Sequence, residues 1–251
     1  MTDFHSHFLP EIDDGATSLN ESLEMLNLSK SSGVGTVVST SHCYAFHGDE
    51  SIKHFLEKRK TAYSLVCDAI ENEKDAYPEI VLASEVHLVP NLSTFSCLPL
   101  LCIENTDYIL IEMPFSEWKD EDFEEIYRIT NLGLKPIIAH IDRYFEISEK
   151  FSDLFSLNLL YQSNAESFIA HSKRKKLLEL FESDSLHILG SDMHNLTSRP
   201  PCFAEAHSII EKNFGKAYAD YLDMASQKIL ENKTVPVPKL PKLNPIKKMI
   251  L

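Results

Sequence analysis

Six short β-branched runs recur along this chain with helical patterns between them, and that alternation limits the available folds more than any other feature. The predicted strands are Thr36–Thr40 (TVVST), Ile80–Ala83 (IVLA), Tyr108–Met113 (YILIEM), Pro136–His140 (PIIAH), Asn158–Gln162 (NLLYQ) and His187–Gly190 (HILG). Most are apolar almost throughout, as strands covered on both faces tend to be. Ser18 and Glu21 form a predicted capping box ahead of Leu19, Leu23 and Leu26, and Gly33 stops that helix. Ile52, Phe55, Leu56, Val66, Ala69 and Ile70 mark a second, longer helix. Phe123, Ile126, Tyr127 and Ile129 mark a third, ended by Gly133. Repeated strand–helix–strand units predict a parallel α/β fold, and a barrel fits better than an open sheet. No glycine-rich turn follows the first strand, which argues against a dinucleotide-binding sheet.

At 251 residues the chain has the length of one α/β barrel. Its 43% hydrophobic share supplies a core and excludes disorder over most of its length. The net charge of −14 argues against a nucleic-acid partner, because phosphate backbones are bound by clustered Lys and Arg. No apolar run approaches the roughly 20 residues of a membrane span, and MTDFHSH does not resemble a secretory signal. Five scattered cysteines (Cys43, Cys67, Cys97, Cys102, Cys202) fit a reducing cytoplasm better than a disulfide framework. A cysteine phosphatase needs Arg six residues beyond its Cys. Here those positions hold Asp49, Glu73, Ile103, Tyr108 and Ser208, so that chemistry is excluded. Residues 1–232 are expected to form the catalytic domain. Residues 233–251, with four prolines, five lysines and no acid, are expected to form an extended surface tail or an arm for a neighbouring subunit.

The placement of histidines and acids points to a metal site. His5 and His7 lie two apart in a strand-like segment, so both rings face one side. Asp13 and Asp14 follow in a turn. His42 comes two residues after TVVST, Glu85 two after IVLA, and Glu112 near the end of YILIEM. His140 closes PIIAH, and Asp192 and His194 follow HILG. These side chains repeatedly fall at the C-terminal ends of predicted strands, and barrel enzymes build their active sites at that mouth. His47, His54, His87, His171, His187 and His207 lack such placement and are expected to be surface or core histidines.

FHSHFLPEIDDGA (4–16), STSH (39–42), ASEV (83–86), LIEMP (110–114), AHIDRY (139–144) and GSDMHNLTSRPP (190–201) together resemble the polymerase-and-histidinol-phosphatase (PHP) superfamily. The closest likeness is to bacterial metal-dependent protein-tyrosine phosphatases of capsule and exopolysaccharide systems, and it runs from residue 3 to about residue 230. The resemblance implies a distorted (β/α)7 TIM-like barrel with three divalent ions, commonly manganese, with iron, zinc or cobalt also suited to the ligands. Carried over by position, His5, His7, Glu85 and Asp192 would hold one ion. Glu85 would bridge to a second, held also by Glu112 and His140, and Asp14, His42 and His194 would hold the third. Arg143 and Arg199 match the family's phosphate-binding arginines. The chain departs from the family at Cys43, where a second His is usual, and at His140-Ile141-Asp142-Arg143, where HPER is usual.

On that ligand set, three ions bring about +6 and four carboxylates with one hydroxide return about −5; the arginines lift the remainder to about +3. The implied reaction is hydrolysis of protein phosphotyrosine by a metal-bound hydroxide. Its implied substrate is an autophosphorylated tyrosine kinase that regulates capsule or exopolysaccharide synthesis. Alternatives are a phosphatase of histidinol phosphate or another small phosphomonoester, and a non-catalytic regulatory module of the same fold. An amidohydrolase often bridges its metals with a carboxylated Lys, a role that falls here to Glu85, and a nuclease is disfavoured by the charge. Homo-oligomerisation stays open.

Overall fold

The computed structural model describes residues 1–237 and 240–242. Its strands are β1 (Thr2–Ser6), β2 (Thr36–Ser39), β3 (His42–Cys43), β4 (Glu79–Leu82), β5 (Glu85–His87), β6 (Tyr108–Glu112), β7 (Lys135–Ile138), β8 (Leu160–Asn164) and β9 (Ile188–Gly190). The α-helices are α1 (Leu19–Ser31), α2 (Asp49–Ile70), α3 (Asp120–Asn131), α4 (Ala165–Ile169), α5 (Arg174–Glu182), α6 (Phe203–Asn213) and α7 (Lys216–Leu230). Every strand pair is parallel, in the orders β1-β2-β4 and β3-β5-β6-β7-β8-β9. The two sets are continuous along the chain, since β3 follows β2 and β5 follows β4 across two-residue breaks. Beyond β9 the chain returns to β1: Asp192 N donates to His5 O (2.8 Å) and His7 N to Met193 O (2.9 Å). The product is a curled parallel sheet with helices around it.

Period-two burial separates the two faces of the sheet. Tyr108 and Leu110 of β6 join Phe4, Val38, Ala83, Ile137, Ala139 and Ile188 in a small inner cluster, while Ile109 and Ile111 face the larger cluster shared with the helices. Each Val, Leu, Ile or Phe among them contributes about 1.5–3 kcal/mol on burial. Glu112, two residues beyond Leu110, therefore emerges inside the mouth.

All six predicted strands are present; three lose one residue at an end, Ile80–Ala83 becomes Glu79–Leu82, and Pro136–His140 becomes Lys135–Ile138, which leaves His140 two residues beyond the strand. Asn158–Gln162 moves to Leu160–Asn164, because Asn158 adopts φ 52° at the end of a 3-10 run over Glu149–Leu157. The two-residue β3 and three-residue β5 carried no periodicity long enough to predict. The capping box is half formed: Ser18 Oγ accepts from Glu21 N (3.2 Å), but the Glu21 carboxylate accepts from Thr17 N and Oγ1 instead of Ser18 N. Gly33 (φ 99°) and Gly133 (φ 86°) end their helices as expected.

No helix among the described residues is long and apolar enough to cross a membrane. Past α7, Lys233 O accepts from Tyr108 Oη (2.8 Å) and Pro241 O from Tyr218 Oη (2.7 Å). Residues 238, 239 and 243–251 of the expected tail lie outside the described residues.

Candidate metal centre

The mouth of the curled sheet gathers all nine predicted ligands and both arginines. His5 on β1 and His7 just beyond its end bring their Nε2 atoms within 3.0 Å of each other, as their two-residue spacing requires. Glu85 is the hub: Oε2 lies 3.1 Å from His5 Nε2, 3.2 Å from His7 Nε2 and 3.1 Å from His42 Nδ1. Its Oε1 lies 2.6 Å from His140 Nε2, and Glu112 Oε1 stands 3.5 Å from the same nitrogen. Asp192 Oδ1 approaches His5 and His7 at 3.5 Å. Asp14, the most exposed member, approaches His194 Nε2 at 3.4 Å and His42 Nε2 at 3.5 Å.

Among the described residues, ligand-type atoms come together in three groups: His7, Asp14, His42 and His194; His5, His7 and Asp192; and His42, Glu85 and Glu112. The first group contains the expected third set (Asp14, His42, His194) together with His7. The expected first set appears as His5, His7 and Asp192 without Glu85, which groups instead with Glu112 and with His42 in the place expected of His140; His140 keeps its contacts to both glutamates.

Hydrogen bonds to the far sides of the rings decide what these nitrogens can bind. Gln162 Nε2 donates to Ser163 O and Asn164 Oδ1, so its Oε1 is the acceptor and receives both His140 N–H (2.7 Å) and His5 Nδ1–H (3.0 Å). Asp13 Oδ2 receives His7 Nδ1–H (2.8 Å), and the Asp192 carbonyl receives His194 Nδ1–H (2.9 Å). Three imidazoles are thereby oriented with Nε2 facing the centre, as metal-binding histidines are prepared. His194 Nε2 and His42 Nδ1 are buried without a hydrogen-bond partner. Unpaired imidazole nitrogens beside carboxylates are the donor set of a divalent transition metal.

Charge distribution agrees with this reading. Burial opposes ionisation of Glu85, yet His5 and His140 hold its carboxyl well below the usual range. Burial likewise opposes ionisation of Asp192, but His5 and Arg143 lower its pKa. Burial would lower the His7 pKa, but Asp13 and Glu85 outweigh it and raise it to about 10; Glu85 and Glu112 similarly raise His140 to about 9. Burial and the neighbouring His7 hold His194 down to about 3.

The backbone is specialised at these positions. His140 (φ 32°) and Asp192 (φ 56°) adopt left-handed conformations that non-glycine residues hold only when their surroundings impose them. A Cβ on Gly190 would fall 2.3 Å from His5 Cβ, and one on Gly15 would fall 2.0 Å from His7 O. Only glycine allows β9 and the Asp13–Gly15 turn to close on the two histidines.

Arg143 and Arg199 both pair with Asp192 Oδ2, which Asn164 Nδ2 also contacts (2.6 Å). The Arg143 loop is anchored by Asp142, whose carboxylate accepts from Ser163 Oγ, Asn164 N and Ser167 Oγ. Asn195 Oδ1 takes the backbone N–H groups of Thr197, Ser198 and Arg199, which shapes the second arginine loop.

Several functional positions escaped the sequence reading. His87 was expected to be an ordinary surface or core histidine, but its Nδ1 bonds Glu112 Oε2 (2.8 Å) at the rim of the centre. It stands two residues after Glu85, so strand periodicity carried the signal. Asp13 and Gln162 orient ligands from behind; a buried polar residue ending an apolar strand was the available clue for Gln162.

Comparison with known proteins accords with this geometry. Tyrosine-protein phosphatase CpsB of Streptococcus agalactiae serotype III is 30% identical over 256 residues, covering 92% of this chain and 99% of that protein. Tyrosine-protein phosphatase YwqE of Bacillus subtilis is 28% identical over 245 residues, covering 94% and 93%. A solved structure from work on YwqE of B. subtilis and CpsB of Streptococcus pneumoniae, described as unique metal-dependent tyrosine phosphatases, superposes with a TM-score of 0.79. It has 25% identity and covers 97% of this chain and 100% of its own. A family model described as capsular polysaccharide synthesis, CpsB/CapC, matches residues 1–231, and the chain belongs to that family.

Proposed function

We propose that this chain is a metal-dependent phosphatase acting on tyrosine phosphate in protein, with an autophosphorylated tyrosine kinase of capsule or exopolysaccharide synthesis as its partner in the cytoplasm. The observation that carries this reading is the convergence of nine His, Asp and Glu side chains, eight of them in the ligand-type groups and His140 beside Glu85, with two guanidinium groups at one end of the sheet. We read the curled sheet as a distorted seven-stranded barrel, with β2–β3 and β4–β5 each counted as one strand and β9 meeting β1 through the Ser6–Met193 bridge.

Three divalent ions, with manganese first and iron, zinc or cobalt compatible, would be held by His5, His7, Asp14, His42, Glu85, Glu112, His140, Asp192 and His194. When bound they supply Lewis acidity and bring the pKa of water towards neutrality. The remaining work falls to this chain. Arg143 and Arg199 turn from Asp192 to the oxygens of the arriving phosphate and stabilise charge as it grows there. Asn164 keeps a hydrogen bond on Asp192 while they do so. A tyrosine leaving group, with a pKa near roughly 10, departs without a strong general acid. No thiol competes as nucleophile at Cys43, Cys102 or Cys202, where burial pushes the pKa up to about 12.

The test is to strip the protein with chelator, reload it with manganese, and assay a phosphotyrosine peptide beside histidinol phosphate. Restored turnover of the peptide is expected. A folded, metal-loaded protein that hydrolysed only histidinol phosphate would place it among the small-molecule phosphatases, and one that hydrolysed neither would be a regulatory module.

A further inference from the structure

Large exposed aromatic side chains are few. Among the described residues they are Tyr44 (46% exposed), Phe46 (65%), Phe115 (50%) and Tyr127 (61%). Tyr127 lies on α3, and the other three stand at the metal centre. The Tyr44 ring stacks on His42 with centroids 5.4 Å apart and planes 25° from parallel. Phe46 stacks on Tyr44 (5.7 Å, 13°), and both lie against His87, at 6.0 and 5.7 Å respectively. Phe115 stacks on His140 (5.6 Å, 25°).

His42 and His140 are the imidazoles that approach different oxygens of Glu85. The aromatic rings therefore stand over two separate parts of one centre, continuous with its ligands. Phe46 packs on Tyr44 and His87 and leaves most of its surface to water, so its placement adds little to the core. Apolar surface left exposed beside a cluster of charge is a feature of ligand sites.

The geometry points to Tyr44, Phe46 and Phe115 as an aromatic rim that receives the phenyl ring of a phosphotyrosine while its phosphate enters the centre. This inference rests on the phosphatase reading and adds the source of aryl selectivity. A phosphate on serine sits on a single methylene and brings no ring to the rim. An aryl ester can make edge or offset contacts of the kind that join aromatic pairs in proteins. Such contacts persist through the reaction, so they act mainly on KM.

The test uses the full-length, manganese-loaded protein and the variants Phe46→Ser, Phe46→Leu and Phe115→Ser. Metal content and circular dichroism are measured for each. Two quantities are compared: KM for a phosphotyrosine peptide, and the inhibition constant of inorganic phosphate, which has no ring. Each serine variant is expected to raise the peptide KM about fivefold, with a clearly smaller change in the phosphate constant and an intermediate effect for Phe46→Leu. Equal changes in both constants, or no change in the peptide KM, would remove the rim from substrate recognition and leave the phosphatase reading standing. A wild-type protein that binds metal and phosphate but does not turn over the peptide would sink both. Phe46 is so exposed that its variants remain informative even if Phe115→Ser disturbs the neighbouring Tyr144.

Discussion

Glu85 and His140 stand 2.6 Å apart, Oε1 to Nε2, while the second oxygen of the same carboxylate faces His5, His7 and His42. One side chain thus contacts two groups of imidazoles, as the proposed bridging ligand would. Asp14 approaches His42 and His194, forms no ion pair with His140 among the described residues, and is largely exposed.

The first prediction follows from that contrast. Glu85→Gln should lose more bound metal than Asp14→Asn at the same free metal concentration, because it removes a charge shared between two groups. Elemental analysis after equilibrium dialysis gives the stoichiometry. Equal occupancy in the two variants would refute the bridging role.

A second prediction concerns Asp13, which belongs to none of the three ligand-type groups among the described residues. Its Oδ2 fixes His7 Nδ1–H and also accepts from His42 N, and its Oδ1 accepts from Gly15 N. Removing such an orienting group costs about 10- to 100-fold in metal affinity. Asp13→Ala should therefore weaken metal binding by that factor with the fold retained, as read by competition with a chromogenic chelator. Wild-type affinity would reduce Asp13 to a turn residue.

These two neighbours show where sequence reasoning reaches its limit. Apolar strands ending in His, Asp or Glu were legible because burial on both faces and the strand period leave a plain pattern. Asp13 and Asp14 are adjacent and chemically identical, so only the turn held by Gly15 assigns one to orient His7 and the other to face His42 and His194. The breaks at Thr40–Ser41 and Ala83–Ser84 hid β3 and β5. At the first break the Thr40 hydroxyl accepts from Ser6 N (2.9 Å), so a side chain substitutes for the ladder. The left-handed backbone at His140 and Asp192 is imposed by tertiary contacts that local propensity does not encode.

The third prediction concerns pH. Without metal, His7 and His140 have pKa values raised to about 10 and 9, so both carry an extra proton at pH 7. His194, held down to about 3, is already neutral there. A cation must displace the protons from His7 and His140, so binding releases protons at pH 7 and tightens as pH rises towards 9 or 10. Calorimetric titration with manganese in buffers of different ionisation enthalpy measures that release. Heats independent of the buffer would show that no proton leaves.

The last prediction separates a phosphatase from other metal hydrolases. Arg143 and Arg199 come from different loops, after β7 and β9, and converge on Asp192 Oδ2. Asp192 has a further partner in Asn164, so the two guanidinium groups are more than its ordinary neutralisation requires. A phosphate dianion offers them three oxygens in place of one. If they serve it, Arg143→Ala and Arg199→Ala should keep their metal, because neither residue is a ligand. Each should raise KM and lower kcat, since the contact strengthens as charge builds on the phosphoryl oxygens. Loss of one such donor is expected to cost about 10²-fold in kcat/KM, or about 2.7 kcal/mol. Lysine should rescue poorly, because a point charge lacks the planar fork that pairs two oxygens at once. The measurement is kcat and KM on phosphotyrosine peptide alongside metal content. Near-wild-type kcat/KM in both alanine variants would make the arginines structural partners of Asp192 and leave the phosphate without its clamp.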